Sequence, residues 1–158
     1  MSCVVESSFL YEEKVQSDWV DYNGHMNDAA YAKVFSQATD RFIDFLGLTE
    51  DARNQLNYTI FTLETHLCYL KEVHEHDSLA IEVRLLDSDA KRLHTFLSMS
   101  NSDGELVATS EQMWMGMDSA QGKPAPFPQT IATTIQRLTI EQKELPIPKQ
   151  AGKKIGFR

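Results

Sequence analysis

The 158-residue sequence is poor in cysteine, in basic residues and in long uncharged stretches. Its two cysteines, Cys3 and Cys68, are too few for the disulfide framework of a small secreted domain. Lys and Arg number 15 against 23 Asp and Glu, and the net charge of −8 opposes binding to nucleic acid or to an anionic membrane. The longest uncharged run, 124–136, is rich in Pro and Thr, so we expect no transmembrane helix. Residues 1–13 lack a basic n-region and carry Glu6, which predicts no secretory signal and a cytoplasmic location.

The apolar content of the chain is sufficient for one folded domain. Hydrophobic residues make up 42% of the chain and charged residues 24%, close to the averages of globular proteins. We expect a single domain over 1–128, followed over 129–158 by a short C-terminal helix and a basic tail. Residues 149–158 hold four positive charges and no acid. The helix is indicated by three apolar residues spaced at i, i+4 and i+7: Ile131, Ile135 and Leu138.

An apolar stripe with helical spacing precedes residue 47. Its members share one face over about four turns: Tyr31, Val34, Phe35, Ala38, Phe42, Phe45 and Leu46. The side chain of Asn27 can cap the start of this helix, and Gly47 can end it. We therefore expect one long helix over about 27–46. A wide apolar stripe on one long helix implies that a sheet wraps against it.

Elsewhere the apolar residues alternate with polar ones, which is the period of β-strands. A first strand is expected over 10–16, before the long helix, and four more strands follow it. The joints between these later strands are short, at 74–77, 87–91 and 101–104, and the last contains Asp-Gly. Short joints favour antiparallel neighbours, so the four strands should form a meander. The expected fold class is α+β, with an antiparallel sheet of about five strands wrapped around one long helix.

A turn-rich segment containing Asp21 and Gly24 leads directly into this helix. The unpaired N–H groups and the dipole of a helix N-terminus stabilise negative charge. A carboxylate beside such an end suits acyl transfer, because Asp21 could attack a carbonyl or activate a water while the N–H groups hold the oxyanion. An ordinary Asx-rich turn before a capped helix is the alternative explanation.

The pattern Asp21-x-x-Gly24-His25-x-Asn27-x-x-x-Tyr31 resembles the hotdog-fold acyl-CoA thioesterases of the 4-hydroxybenzoyl-CoA thioesterase type. The likeness covers about residues 8–118 and includes the order of the elements. It implies a hotdog fold, hydrolysis of an acyl-CoA without a metal or other cofactor, and active sites between the subunits of a homodimer or tetramer. It also implies that Asp21 is the catalytic carboxylate and that the backbone at Gly24 approaches the thioester. His25 and Asn27 lie beside them, and His25 acts either as a general base or as a residue that orders the loop.

A narrower resemblance is to the betainyl-CoA thioesterases of carnitine degradation. It depends on the segment 19–28, on Glu64 with His66, on Tyr69 and on the segment 125–128. It implies hydrolysis of betainyl-CoA to glycine betaine and CoA. Aromatic faces hold trimethylammonium groups, and four residues are candidates for this contact: Trp19, Tyr22, Tyr31 and Trp114. A place in the core is the alternative for the last two.

The remaining polar clusters have two interpretations each. Glu64 and His66 share a strand face, and they either line the site from the partner subunit or pair with each other in solvent. The segment 74–77 has metal-ligand residue types but no third ligand cluster, so we expect a polar turn. Three other functions stay open: a thioesterase for an uncharged short-chain or aromatic acyl-CoA, a hydratase that uses His25, and a non-catalytic acyl-CoA-binding protein.

Overall fold

A computed structural model describes residues 9–157 of the chain. Cys3, Glu6 and Arg158 lie outside the described residues. The elements follow the order β1 (Leu10–Lys14), a short 3₁₀ helix (Ser17–Trp19), α1 (Asp28–Phe45), α2 (Glu50–Leu56), β2 (Tyr58–Tyr69), β3 (Ser78–Ser88), β4 (Arg92–Ser100), β5 (Leu106–Asp118), β6 (Lys123–Pro124) and α3 (Gln129–Gln142).

One antiparallel sheet packs against α1. Its strand order is β1-β3-β4-β5-β2, and the two-residue β6 pairs with the end of β5. The inward side chains of the sheet and the apolar stripe of α1 share one hydrophobic core. This arrangement confirms the predicted α+β architecture of about five strands around one long helix.

The predicted meander is correct for β3, β4 and β5 and wrong for β2. β2 pairs with β5 at the end of the sheet, with Tyr69 opposite Ala108, rather than with the strand that follows it. The joint predicted at 74–77 belongs to a longer crossover, residues 70–77, which returns to β3. The backbone of this crossover is bonded to the loop before α1, since the Met26 N–H donates to the Val73 carbonyl at 2.9 Å. The length of a joint shows that two strands are connected, but it does not determine which strands pair.

The long helix begins and ends at the predicted residues. Asn27 Oδ1 accepts a hydrogen bond from the Ala30 N–H at 2.9 Å, and Gly47 follows the helix with φ of +101°, a conformation that glycine adopts without strain. The predicted stripe is buried except for Phe45, which is 41% exposed. α2, capped by Thr49, was not predicted because it buries none of its side chains and so has no apolar stripe.

The C-terminal segment contacts β3 through α3 and β5 through the residues that follow α3. α3 buries Ile131, Ile135 and Leu138, as predicted, and these side chains join the common core. The chain then continues to the sheet surface, where the Gly152 N–H donates to Glu111 Oε1 at 2.9 Å. Within residues 9–157, no helix is long and apolar enough to cross a membrane.

Candidate active site

The loop that carries Asp21 is a closed turn. The Asp21 N–H donates to the His25 carbonyl, and the Gly24 N–H donates to the Asp21 carbonyl, both at 2.9 Å. Asp21 Oδ1 accepts from the N–H groups of Asn23, at 2.9 Å, and His25, at 3.2 Å. One carboxylate oxygen therefore shapes the turn. Across residues 9–157, no hydrogen bond engages the second oxygen, Oδ2, which is open to a substrate or a water.

Gly24 gives the turn its shape. Its φ is +79°, in the left-handed region where other residues are strained. A Cβ built on Gly24 would meet no atom within 4 Å, so the glycine is required by its backbone conformation and not by lack of space.

Asn27 connects this loop to α1 through hydrogen bonds. Its Nδ2 donates to the Trp19 carbonyl at 2.6 Å, and its backbone N–H donates to the same oxygen at 2.9 Å. Its Oδ1 meanwhile caps the helix through Ala30. One side chain thus bonds both the start of the loop and the first turn of the helix, which fixes the position of Asp21 relative to α1.

The N-terminus of α1 is less open to an oxyanion than the sequence suggested. The Ala29 N–H is bonded to Asp28 Oδ1 at 3.0 Å, and the Ala30 N–H is bonded to Asn27. The expectation of free N–H groups is therefore wrong for these two residues. The physical reason is that Asn27 and Asp28 are both short acceptors and satisfy the first turn themselves.

An open cleft of about 430 Å³ lies beside Asp21, between the start of α1 and residues 69–72. Tyr31 and Tyr69 form part of its wall, and their rings meet edge to face with 5.2 Å between centroids. Tyr31 Oη donates to the Lys71 carbonyl at 3.2 Å, and Tyr69 Oη donates to the Asp28 carbonyl at 3.4 Å. Burial raises the pKa of both phenols above the usual value, so both remain neutral donors.

His25 contacts two side chains of the crossover. Its Nε2 lies 3.2 Å from Glu72 Oε2, and its ring meets the His74 ring with 4.9 Å between centroids. The backbones of His25 and His74 also form an antiparallel bridge. Glu72 could not be predicted from the sequence, because no motif contains it and because the short joint at 74–77 indicated a hairpin tip and not a crossover.

Residues 74–77 form a turn, as predicted. The His74 N–H donates to Asp77 Oδ2 at 2.8 Å, and the two side chains are 3.8 Å apart. In the described part of the chain, no group of three or more His, Cys, Asp or Glu side chains is placed to hold a metal ion.

The family follows from a comparison with known proteins. Residues 15–135 match the model of the thioesterase-like superfamily. The chain belongs to this superfamily. This thioesterase is similar to the betainyl-CoA thioesterase of Pseudomonas aeruginosa, with 37% identity over 148 residues that cover 93% of each chain.

Two further relatives extend the comparison. The L-carnitine dehydrogenase/betainyl-CoA thioesterase of Agrobacterium fabrum is 38% identical over 90% of this chain but only 29% of its own length. A Staphylococcus aureus protein solved in complex with CoA is 35% identical, has a TM-score of 0.92 and aligns over 100% of both chains. These similarities confirm the predicted hotdog-fold thioesterase family and thioester hydrolysis as its activity.

The four aromatic residues predicted to bind substrate lie in different environments in the structure of the thioesterase. Tyr31 lines the cleft, whereas Tyr22 is 97% exposed on the loop and outside the cleft. Trp19 is only 7% exposed, and the Lys33 ammonium lies 5.4 Å from the centroid of its ring. Trp114 is fully buried, so the prediction that it binds substrate is corrected in favour of its alternative, a place in the core.

The burial of Trp114 has a simple cause. Its position on β5 faces α1, where its ring packs against Phe42 with 5.9 Å between centroids. Its Nε1 donates to Gln112 Oε1 at 2.6 Å, which satisfies the indole inside the core.

Glu64 and His66 are not brought to Asp21 within a single chain of the thioesterase. Their neighbours in β2, Thr65 and Leu67, line a cleft of about 520 Å³ between α1 and the sheet. Because side chains alternate along a strand, Glu64 and His66 face away from α1. They line a separate surface cleft of about 200 Å³ that also includes Gly152. A contribution to a partner subunit's site stays a prediction.

Proposed function

We propose that the protein hydrolyses betainyl-CoA to glycine betaine and CoA. The observation that carries this proposal is its 37% identity with a betainyl-CoA thioesterase over 93% of both chains. The similar Staphylococcus aureus structure contains CoA, which supports a CoA thioester as the substrate class. The cleft beside Asp21, at the loop with the family pattern, is the candidate site.

In this proposal Asp21 is the catalytic carboxylate. The Asn23 and His25 N–H groups hold its Oδ1, and its Oδ2 faces the reaction. Two routes are chemically consistent with this arrangement. Asp21 either attacks the thioester carbonyl, releasing CoA thiolate and forming an anhydride that water then hydrolyses, or removes a proton from the attacking water. A thiolate is a good leaving group, so neither route needs a cofactor.

Recognition of the acyl group would depend on its positive charge. A trimethylammonium group is attracted to aromatic faces, and Tyr69 is 51% exposed at the cleft. Asp28 and Glu72 add negative charge to the same cleft. The only cation in the cleft wall within the described chain, Lys71, is paired with Glu105. Tyr69, supported by Tyr31, is therefore the aromatic residue best placed to contact the cation.

We also propose a cytoplasmic homodimer. β2 is at the end of the sheet order, and its residues Phe61 and Leu63 are 52% and 54% exposed. An open edge strand with apolar side chains is suited to pairing with another chain. The cytoplasmic location follows from the substrate, because CoA thioesters belong to intracellular metabolism.

A specific observation favours a second candidate, a thioesterase for an uncharged acyl-CoA. The larger cleft between α1 and β2 is lined by the apolar side chains of Phe35, Ile43, Ile60 and Leu67. These four residues suit an apolar acyl group, and among the described residues Asp40 is the one charged side chain that lines the same cleft.

A thiol-release assay across a panel of acyl-CoAs tests the proposal. The panel contains betainyl-CoA, its neutral isostere 3,3-dimethylbutyryl-CoA, butyryl-CoA, 4-hydroxybenzoyl-CoA and crotonyl-CoA. We expect the highest kcat/KM for betainyl-CoA. Faster release from the neutral isostere would favour the second candidate. Hydration of crotonyl-CoA without thiol release would favour a hydratase, and binding without any turnover would favour a non-catalytic binder.

A further inference from the structure

Glu72 reaches the catalytic loop from a distant part of the chain. Its side chain is 70% exposed, yet its Oε2 lies 3.2 Å from Nε2 of His25. The neighbouring backbone is fixed to the same loop, since the Met26 N–H donates to the Val73 carbonyl. The backbone on both sides of this contact is therefore joined, which keeps the Glu72 carboxylate within reach of His25.

We infer that Glu72 is a positioning residue for thioester hydrolysis, acting through His25. This inference rests on the proposed function, in which the loop of Asp21 and His25 is catalytic. A neutral imidazole has one N–H and one acceptor nitrogen. Because a carboxylate only accepts hydrogen bonds, Glu72 favours the proton on Nε2 and leaves Nδ1 as the acceptor for a water or a substrate.

The same histidine connects Glu72 to the catalytic carboxylate. The backbone N–H of His25 donates to Asp21 Oδ1, and its ring is bonded to Glu72. Fixing the ring of His25 also limits the movement of its backbone. Glu72 thereby helps to hold the Asp21 carboxylate in one orientation, with Oδ2 open to the cleft.

The other groups around His25 do not replace Glu72. His74 contacts the edge of the imidazole, but its own backbone and ring are directed to Asp77. Lys71 is paired with Glu105. Among residues 9–157, Glu72 is the one carboxylate within ion-pair distance of the His25 ring.

Glu75 offers a matched control on the same crossover. It is also a glutamate beside a histidine, with its Oε1 3.4 Å from Nε2 of His76. It does not line the cleft beside Asp21. A change of Glu75 to Gln removes the same charge from the same segment without touching His25.

Steady-state kinetics of Glu72→Gln, Glu75→Gln, His25→Gln and the double variant Glu72→Gln/His25→Gln test the inference. We expect Glu72→Gln to lower kcat roughly 10-fold, the size of coupling within one hydrogen-bond network. Glu75→Gln should match the wild type. In the His25→Gln background the further change of Glu72 should have little effect. An equal loss in both backgrounds, or no difference between Glu72→Gln and Glu75→Gln, would overturn the inference.

A second measurement needs no turnover. The ¹⁵N shifts of the His25 ring in substrate-free protein at pH 8.5 report which nitrogen carries the proton. We expect the Nε2–H form in the wild type and in Glu75→Gln, and a mixture of both forms in Glu72→Gln. Unchanged shifts in Glu72→Gln would refute the inference while hydrolysis of betainyl-CoA still stood. Absence of hydrolysis together with the expected shifts would refute the proposed function, and with it the catalytic part of the inference.

Discussion

The rings of Tyr31 and Tyr69 meet edge to face at 5.2 Å and join the first turn of α1 to the last residue of β2. Tyr31 is buried, whereas Tyr69 is 51% exposed. Each phenol is also bonded to a backbone carbonyl, so neither ring turns freely. Tyr69 therefore offers a half-exposed aromatic ring to the cleft, and both Tyr31 and a backbone hydrogen bond limit its movement.

The change Tyr69→Leu should raise KM for betainyl-CoA about 2- to 30-fold, equivalent to a cation–π contact of about 0.5–2 kcal/mol. Tyr69→Phe keeps the aromatic face and should remain near the wild type. Kinetics with 3,3-dimethylbutyryl-CoA separate charge from shape, and this neutral substrate should respond little to either change. Tyr22→Leu, measured in parallel, tests the exposed tyrosine that the sequence also suggested. If Leu and Phe at position 69 behaved alike on betainyl-CoA, the ring would not bind the cation.

The change Asp21→Asn should keep the fold and lower kcat by about 100-fold or more, the size expected on removing a catalytic base. The Asn amide oxygen can still accept from the N–H groups of Asn23 and His25, so the turn should persist. It supplies neither a nucleophile nor a base. Asp18→Asn, an exposed acid in the preceding 3₁₀ helix, is the control and should leave kcat unchanged. Near-normal turnover in Asp21→Asn would refute the assignment of the catalytic carboxylate.

The change Asn27→Ala should lower the free energy of unfolding by about 1–2 kcal/mol, because it removes the cap of α1. It also removes the Nδ2 bond to the Trp19 carbonyl, so kcat should fall as well. Thr49→Ala removes the cap of α2, a helix with no buried side chains, and should have a smaller effect on stability. Urea unfolding curves of the two variants make the comparison. Equal losses would show that Asn27 has no role beyond an ordinary cap.

The change Leu63→Lys should convert a dimer to a monomer. Leu63 is 54% exposed on the open edge strand, and a charge there opposes strand pairing between chains. Ile140→Lys introduces the same charge at a residue that is 74% exposed on α3, and it should leave the dimer intact. Sedimentation equilibrium at micromolar concentration distinguishes the two outcomes. An active wild-type monomer under these conditions would contradict the proposed dimer.

The change Tyr58→Phe should lower the free energy of unfolding at neutral pH by about 0.5–1.5 kcal/mol, the net contribution of one hydrogen bond. Tyr58 Oη donates to the Ala125 carbonyl at 2.8 Å, next to Gly116, which has no Cβ to clash with it. Burial raises the pKa of Tyr58 to about 12. A raised pKa means that this stabilisation is complete below pH 10 and is lost as the pH rises toward 12. The stability difference between Tyr58→Phe and the wild type should therefore shrink over that range.

Local signals predicted the parts of the site that local chemistry determines. The start of α1 at Asn27 and its end at Gly47 were predicted correctly, because capping and a left-handed φ depend on a few adjacent residues. The pairing of β2 with β5 could not be predicted, because it depends on which distant strand completes the sheet. The prediction that Trp114 contacts substrate failed for a related reason. A tryptophan is suited to bind a cation, but the burial of Trp114 depends on which face of β5 packs against Phe42. Glu72 becomes relevant only once the crossover lies beside His25.

The pairing of β2 with β5 also affects the order in which the chain folds. β3, β4 and β5 can assemble through short hairpins. Tyr69 of β2, in contrast, pairs with Ala108, which is 108 − 69 = 39 residues later in the chain. Closing such a long loop costs more entropy and makes the step slow. Asp21 and Glu72 are 72 − 21 = 51 residues apart, and the wall between them forms only when β2 and its crossover have docked. A partly folded chain can thus hold the Asp21 turn but has no cleft beside it, and refolding should restore hydrolysis only in the step that completes the sheet.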